Sequence, residues 1–284
     1  MSSESPPLVN LNLTEPLSKL IETVGNGIGI LYEPRRILKK AKAEAEALKI
    51  STEGKLQVQE IEARTQARLH YIELRRQKNI EEIVRQAADQ MPKDVSGQPV
   101  DQDWVADFFG HCQDVGNGTL QSLWARLLAG EVTNPGSFSR RTLHTVRMMS
   151  KEDANLFTKL AGFVWRAPER PVHIVTSKSG ALLEKAGFYS QDFLHLRSIG
   201  LLEGAEITGV PIRVGEQTWS YCGTHIRIVA TEPGGWRGML LSQVGVELLT
   251  ISGAVGCPEY LEELLEAMNG ENCLAEILRQ EPSR

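Results

Sequence analysis

The stretch from Pro34 to Met91, PRRILKKAKAEAEALKISTEGKLQVQEIEARTQARLHYIELRRQKNIEEIVRQAADQM, decides how this chain is built. Beyond its leading Pro34 it holds no proline until Pro92, and its one glycine is Gly54. Such a run predicts a single helix of coiled-coil type, on the order of 85 Å long, far beyond the needs of a compact domain. Its apolar positions are Ala47, Ile50, Val58, Ile61, Leu69, Ile72, Ile80, Ile83 and Ala87. They recur every eleven residues, about 3.67 per turn, which suits a nearly straight or slightly right-handed bundle rather than a heptad zipper. Weak third positions (Gly54, Thr65, Arg76) keep the stripe narrow. A helix this polar is not stable alone in water. The expectation is a homo-oligomer, with Ile50, Val58, Ile61, Leu69, Ile72, Ile80 and Ile83 at the seam.

The chain has 284 residues and a net charge of -5, unevenly spread. Residues 1–34 carry -3, residues 35–92 carry +4 and residues 93–284 carry -6. An acidic globular part argues against wrapping a nucleic-acid backbone, so nucleic acid is a disfavoured partner. Cys112, Cys222, Cys257 and Cys273 stand far apart without a CxxC pair, which points to free thiols rather than a disulfide framework or zinc site. The polar opening has no secretory pattern, and no apolar run reaches 18 residues. A cytoplasmic protein is expected.

Outward from the helix toward the start, residues 1–16 read as a flexible leader and residues 17–34 as an amphipathic segment. Leu17, Leu20, Ile21, Val24, Ile28 and Leu31 share one helical face, interrupted by Gly25, Gly27 and Gly29. Arg35, Arg36, Lys39 and Lys40 follow at once. An apolar face beside a basic cluster has the composition of a segment lying on an anionic membrane, at the inner face of which the protein would be peripheral. The alternative is a helix that folds back onto the bundle, its glycines permitting close approach.

In the other direction, residues 92–99 break the long helix, and residues 100–167 read as a small helical domain. Asp101 or Asp103 caps a helix with Trp104, Val105, Phe108 and Phe109, and Thr119 caps the next, with Leu120, Leu123, Trp124, Leu127 and Leu128 inward. Ser139 and Ser150 cap two more, the last carrying Phe157, Leu160, Phe163 and Trp165.

Asp103-Trp104-Val105, the run from Leu120 to Glu131 (LQSLWARLLAGE), Pro135 to Ser139 (PGSFS) and Ser150 to Ala154 (SKEDA) resemble an uncharacterised bacterial family, domain of unknown function 2806. Leu17 to Ile21, Gly27 to Gly29 and Leu31 to Arg35 fit the same family. The middle part is also similar to the abortive-infection alpha family. That likeness implies a role in anti-phage defence, at the membrane surface, with a phage- or operon-encoded protein as a further partner; it carries over no catalytic residue.

Residues 168–284 change to α+β: a strand from Val172, helices after Ser179 and Ser190, short antiparallel strands between Leu201 and Leu241, and two closing helices. This order resembles a winged helix. Ser177 to Gly180 lacks the pattern of a phosphate-cradling loop. His173, His195 and His225 are scattered and read as structural. The fold class expected is mainly α, with an α+β winged-helix-like end. Nothing gathers a nucleophile, base and stabiliser, so an enzyme is the least supported class and no cofactor or metal is expected. Three functions remain in order: a membrane-surface defence effector or sensor, a soluble scaffold or adaptor for protein partners, and a nucleic-acid-binding regulator.

Overall fold

Proline and turn residues in 92–99 stop the long helix, and the chain beyond it returns along the same helix before a second body begins. The computed structural model describes residues 14–31, 52–168, 171–174, 179–203 and 208–278. The chain is mainly helical with a smaller region of β-sheet, and it divides into two compact units, Met1–Phe138 and Ser139–Arg284. The division falls inside the expected 100–167 domain, so its last two helices count with the sheet.

The first unit contains α1 (Glu15–Leu31), α2 (Thr52–Ala88), α3 (Gln102–Cys112) and α4 (Gly118–Thr133). Asp101 caps α3 by accepting from the Trp104 amide at 2.8 Å. The cap of α4 is Asn117, not Thr119: its side chain accepts from the Thr119 and Leu120 amides. Asn117 stands outside the helix with extended backbone, where a side-chain oxygen reaches the orphan amides of the first turn, and Thr119 is already helical. The core is aromatic. Phe108 stacks on Trp104 and meets Phe109 and Trp124 edge-on, with centroids 5.1 to 5.2 Å apart. Leu20 of α1, Ile80 and Ile83 of α2, and Leu127 and Leu128 of α4 are buried with them.

The motif from Leu120 to Ser139 has a packing explanation. Glu131, buried, accepts from the Gly136 amide at 2.6 Å and the Phe138 amide at 2.9 Å, which folds the PGSF turn back on α4. Gly130 leaves room for the Phe138 ring, which a Cβ would meet at 2.7 Å.

The second unit contains α5 (Arg140–Met148), α6 (Lys151–Ala161), β1 (Trp165–Arg166), β2 (Pro171–Ile174), α7 (Ser179–Lys185), α8 (Ser190–Ser198), β3 (Thr208–Ile212), β4 (Gly215–Tyr221), β5 (Thr224–Ala230), β6 (Gly234–Leu240), α9 (Gln243–Leu249), α10 (Pro258–Met268) and β7 (Cys273–Ile277). Ser139 and Ser150 cap α5 and α6, the latter in a reciprocal box with Asp153. Among the described residues the strands form one seven-stranded antiparallel sheet, ordered β3-β6-β2-β1-β4-β5-β7. It exceeds the small hairpin sheet of the winged-helix expectation, because β1, β2, β6 and β7 extend the β4–β5 hairpin on both sides. Phe163 and Trp165, expected on the fourth helix, lie past its end at Ala161, with Trp165 in β1. Cys222 and Gly223 close the β4–β5 hairpin with φ of 43° and 85°, the pairing of two positive φ values that matches strand twist.

Candidate functional site

α2 is two helices in one where burial is concerned. Its last three turns set Asn79, Ile80, Ile83 and Ala87 against the bundle, chiefly against α4. The same stripe, traced back through Ile72, Leu69, Thr65, Ile61 and Val58, emerges into solvent. Ile83 is fully covered, whereas Val58 is 38%, Leu69 42% and Ile61 56% exposed.

A polar clamp marks the changeover. Arg76 grips Asp114, in the turn between α3 and α4, through two parallel bonds of 3.0 and 3.1 Å, and Arg75 reaches the same carboxylate at 2.9 Å. These hydrogen bonds hold the Asp114 carboxyl below its ordinary pKa, the Arg76 bond foremost. One turn further, Asn79 donates to the Gln113 carbonyl at 2.9 Å, and Gln121 donates to the Val115 carbonyl at 3.0 Å. The top of the bundle is therefore fixed at residues 75–79, and from there to Thr52 α2 projects by roughly 35 Å at ordinary helical rise. Over residues 58–71 no side chain is buried. Such a length of polar helix gains too little from its own hydrogen bonds to persist unaided.

Of the seam residues expected from sequence, Val58, Ile61 and Leu69 form this exposed stripe, Ile72 is half-buried at its edge, and Ile80 and Ile83 belong to the bundle core. Ile50 lies outside the described residues, as do Arg35, Arg36, Lys39 and Lys40. The face expected to meet a membrane is largely turned inward: Leu20 is buried, Leu17 and Val24 are half-buried and Ile21 is exposed. Ile28 and Leu31 are on α1, their side chains outside the description. Gly27 explains the close fit, since a Cβ there would overlap the Phe109 and Val105 side chains of α3. Sequence reasoning missed the clamp residues Asp114, Asn79 and Gln121. It also passed over the charges flanking the stripe, Glu62, Arg64 and Arg68, although charge sign beside an apolar repeat is legible without a structure.

Two grooves and one charged pair are the places where chemistry could be housed among the described residues. A groove of about 480 Å³ in the first unit is lined by polar groups of α1 and the 96–102 segment, where Lys19 donates to the Ser96 carbonyl at 2.6 Å. A groove of about 500 Å³ in the second unit holds Lys159, Lys185, Cys257 and Glu259. Burial raises the Cys257 pKa, opposite to the lowering found at reactive thiols. His195 bonds Asp153 at 2.5 Å, but Asp153 also closes the cap of α6, and the pair ties α8 to α6. Burial alone would raise the Asp153 pKa; the His195 and Ser150 hydrogen bonds outweigh it and leave it lowered. His173 is buried between the rings of Phe193 and Tyr260, its Nδ1 3.1 Å from the Phe163 carbonyl oxygen. His225 pairs with Ser220 across the β4–β5 hairpin. Among the described residues no group of three or more His, Cys, Asp or Glu side chains could hold a metal ion, and no helix is long and apolar enough to cross a membrane.

No curated protein and no solved structure matches the chain. The family model described as Protein of unknown function (DUF2806) matches residues 63–265. Nothing in that match links the chain to the abortive-infection alpha family. Since it runs from the exposed half of α2 through strands β1 to β6 and into α10, well over half of the sequence, the chain belongs to the DUF2806 family.

Proposed function

We propose that this protein is a non-catalytic scaffold that assembles with copies of itself through the projecting half of α2 and offers its second unit to protein partners. The observation that carries this reading is the apolar stripe that is core at Ile80 and Ile83 and bare at Val58, Ile61 and Leu69. Partner contact by the second unit is supported by Tyr189 and Leu194, both more than half exposed on or beside α8. A membrane-surface defence effector is the weaker reading, because α1 spends Leu20, Thr23 and Gly27 on packing against its own unit.

The test is the mass of the full chain in solution by light scattering. The expected result is a multiple of 31.5 kDa that falls to 31.5 kDa in the Ile61→Asp, Leu69→Asp double variant, with the thermal unfolding of the sheet unit unchanged. A monomeric parent chain would sink the scaffold. Flotation with anionic liposomes separates the membrane reading, for which the scaffold predicts that the protein stays in the dense fraction.

A further inference from the structure

The stripe from Val58 to Ile72 is symmetric about Thr65. Val58 and Ile72 lie seven residues to either side, and Ile61 and Leu69 lie four. The apolar layers alone would therefore pair equally well with a second copy running parallel or antiparallel. The flanking charges break the tie. At about 100° per residue, Glu62 falls roughly 60° to one side of the stripe, with Gln66 beyond it. Arg68 falls roughly 60° to the other side, with Arg64 beyond it. All four are exposed, and Arg64 turns its Nε to the Glu60 carbonyl on that same side.

An antiparallel two-fold sets each flank against its own copy. Arg64 and Arg68 of both chains would then crowd one edge near the axis, with no acid beside the stripe to offset them. A parallel arrangement sets each flank against the opposite flank of its neighbour, so Glu62 of one copy meets Arg64 and Arg68 of the next. Flanking pairs of this kind set direction and partner choice in helical assemblies. The clamp supplies the lower limit of the seam: Arg76, next in the stripe after Ile72, is held by Asp114 of its own chain. We infer that the projecting half of α2 associates with a second copy of this chain in parallel and in register over residues 58–72, aligned by Glu62 against Arg64 and Arg68. This rests on the scaffold reading and adds the direction, which that reading leaves open.

Disulfide trapping decides it on the full chain with Cys222→Ser, Cys257→Ser and Cys273→Ser, leaving the buried Cys112 in place. Thr65→Cys reports association in either direction, because residue 65 faces itself in both. Ile61→Cys forms a disulfide with itself only in the parallel register. Antiparallel copies set Ile61 opposite Leu69 and the two Ile61 residues about 12 Å apart along the axis, beyond disulfide reach. The expected result is self-crosslinking of Thr65→Cys and of Ile61→Cys, with no mixed product when Ile61→Cys and Leu69→Cys proteins are combined. Crosslinking of Thr65→Cys with only the mixed 61–69 product overturns the parallel direction and leaves the scaffold standing. No crosslink at Thr65→Cys overturns both.

A charge variant tests the alignment by sign. Arg68→Glu weakens association roughly tenfold in the parallel assembly, where it faces Glu62, and Glu62→Arg in the same chain restores it. Tighter association of Arg68→Glu alone would mean that the arginines face one another and would overturn the proposal.

Discussion

Glu131 and His173 show how much of this chain's polar chemistry is spent on holding itself together. Both carboxylate oxygens of Glu131 accept backbone amides of the turn that follows α4. Glu131→Gln would present a donor to one of those amides and leave it buried without an acceptor; the expected loss is about 2 kcal/mol in urea unfolding at pH 7. His173 is a second test. Burial lowers its pKa from 6.5 to about 4, against the opposing pull of the Phe163 carbonyl. The unfolded chain therefore takes up this proton as pH falls below about 6.5 while the folded chain refuses it until about 4. Stability attributable to His173 is complete above the upper value and declines between the two. In His173→Phe the drop in unfolding free energy from pH 7.5 to pH 5 should be smaller than in the parent by about 2 kcal/mol. The identity of these residues was plain in the sequence, yet their roles were not. Glu131 closes the LQSLWARLLAGE run that carries the family resemblance, and only the position of the Gly136 and Phe138 amides makes it a turn anchor. Thr119 is the cap expected from the sequence, but Asn117 is the residue whose extended backbone brings its side chain to the free amides.

At the scale of elements, the sequence told more about faces than about what covers them. The eleven-residue repeat shows which side chains of α2 share a face, because periodicity sets that. It could not divide that stripe between the bundle and the solvent. The division depends on where α3 and α4 end, and so on the Asp114 clamp. The same limit applies to α1, whose apolar face and glycines suit both a membrane surface and a helix bundle, and Gly27 sits against Phe109 and Val105 of its own unit. Strand β1, of two residues, is too short for any alternation to register, so Trp165 reads as part of the helix that in fact ends at Ala161, before Phe163. Amide exchange checks the division of α2. Under the proposed assembly, amides of residues 58–71 of the parent chain should be protected. In the Ile61→Asp, Leu69→Asp variant they should exchange at least a hundredfold faster, while those of residues 79–87 keep their protection from the bundle.

For the molecule as a whole, the two units carry different duties: one builds the helix, the other holds an aromatic core under an antiparallel sheet. Tyr221 shows how the second is closed, its hydroxyl donating to the Gly162 carbonyl at 2.5 Å and accepting from the Cys257 amide at 2.7 Å. The assignment to α+β with a preponderance of helix was legible from the switch in periodicity after Pro168. The seven-stranded sheet was not, since its order brings together strands far apart in the chain. The projecting half of α2 has a further consequence. In the proposed pairing, the projecting half of α2 completes its folding by a reaction between molecules, so its stability would follow mass action. Abundance would then be a structural variable, with a frayed arm below the dissociation constant of that pairing and a rod above it.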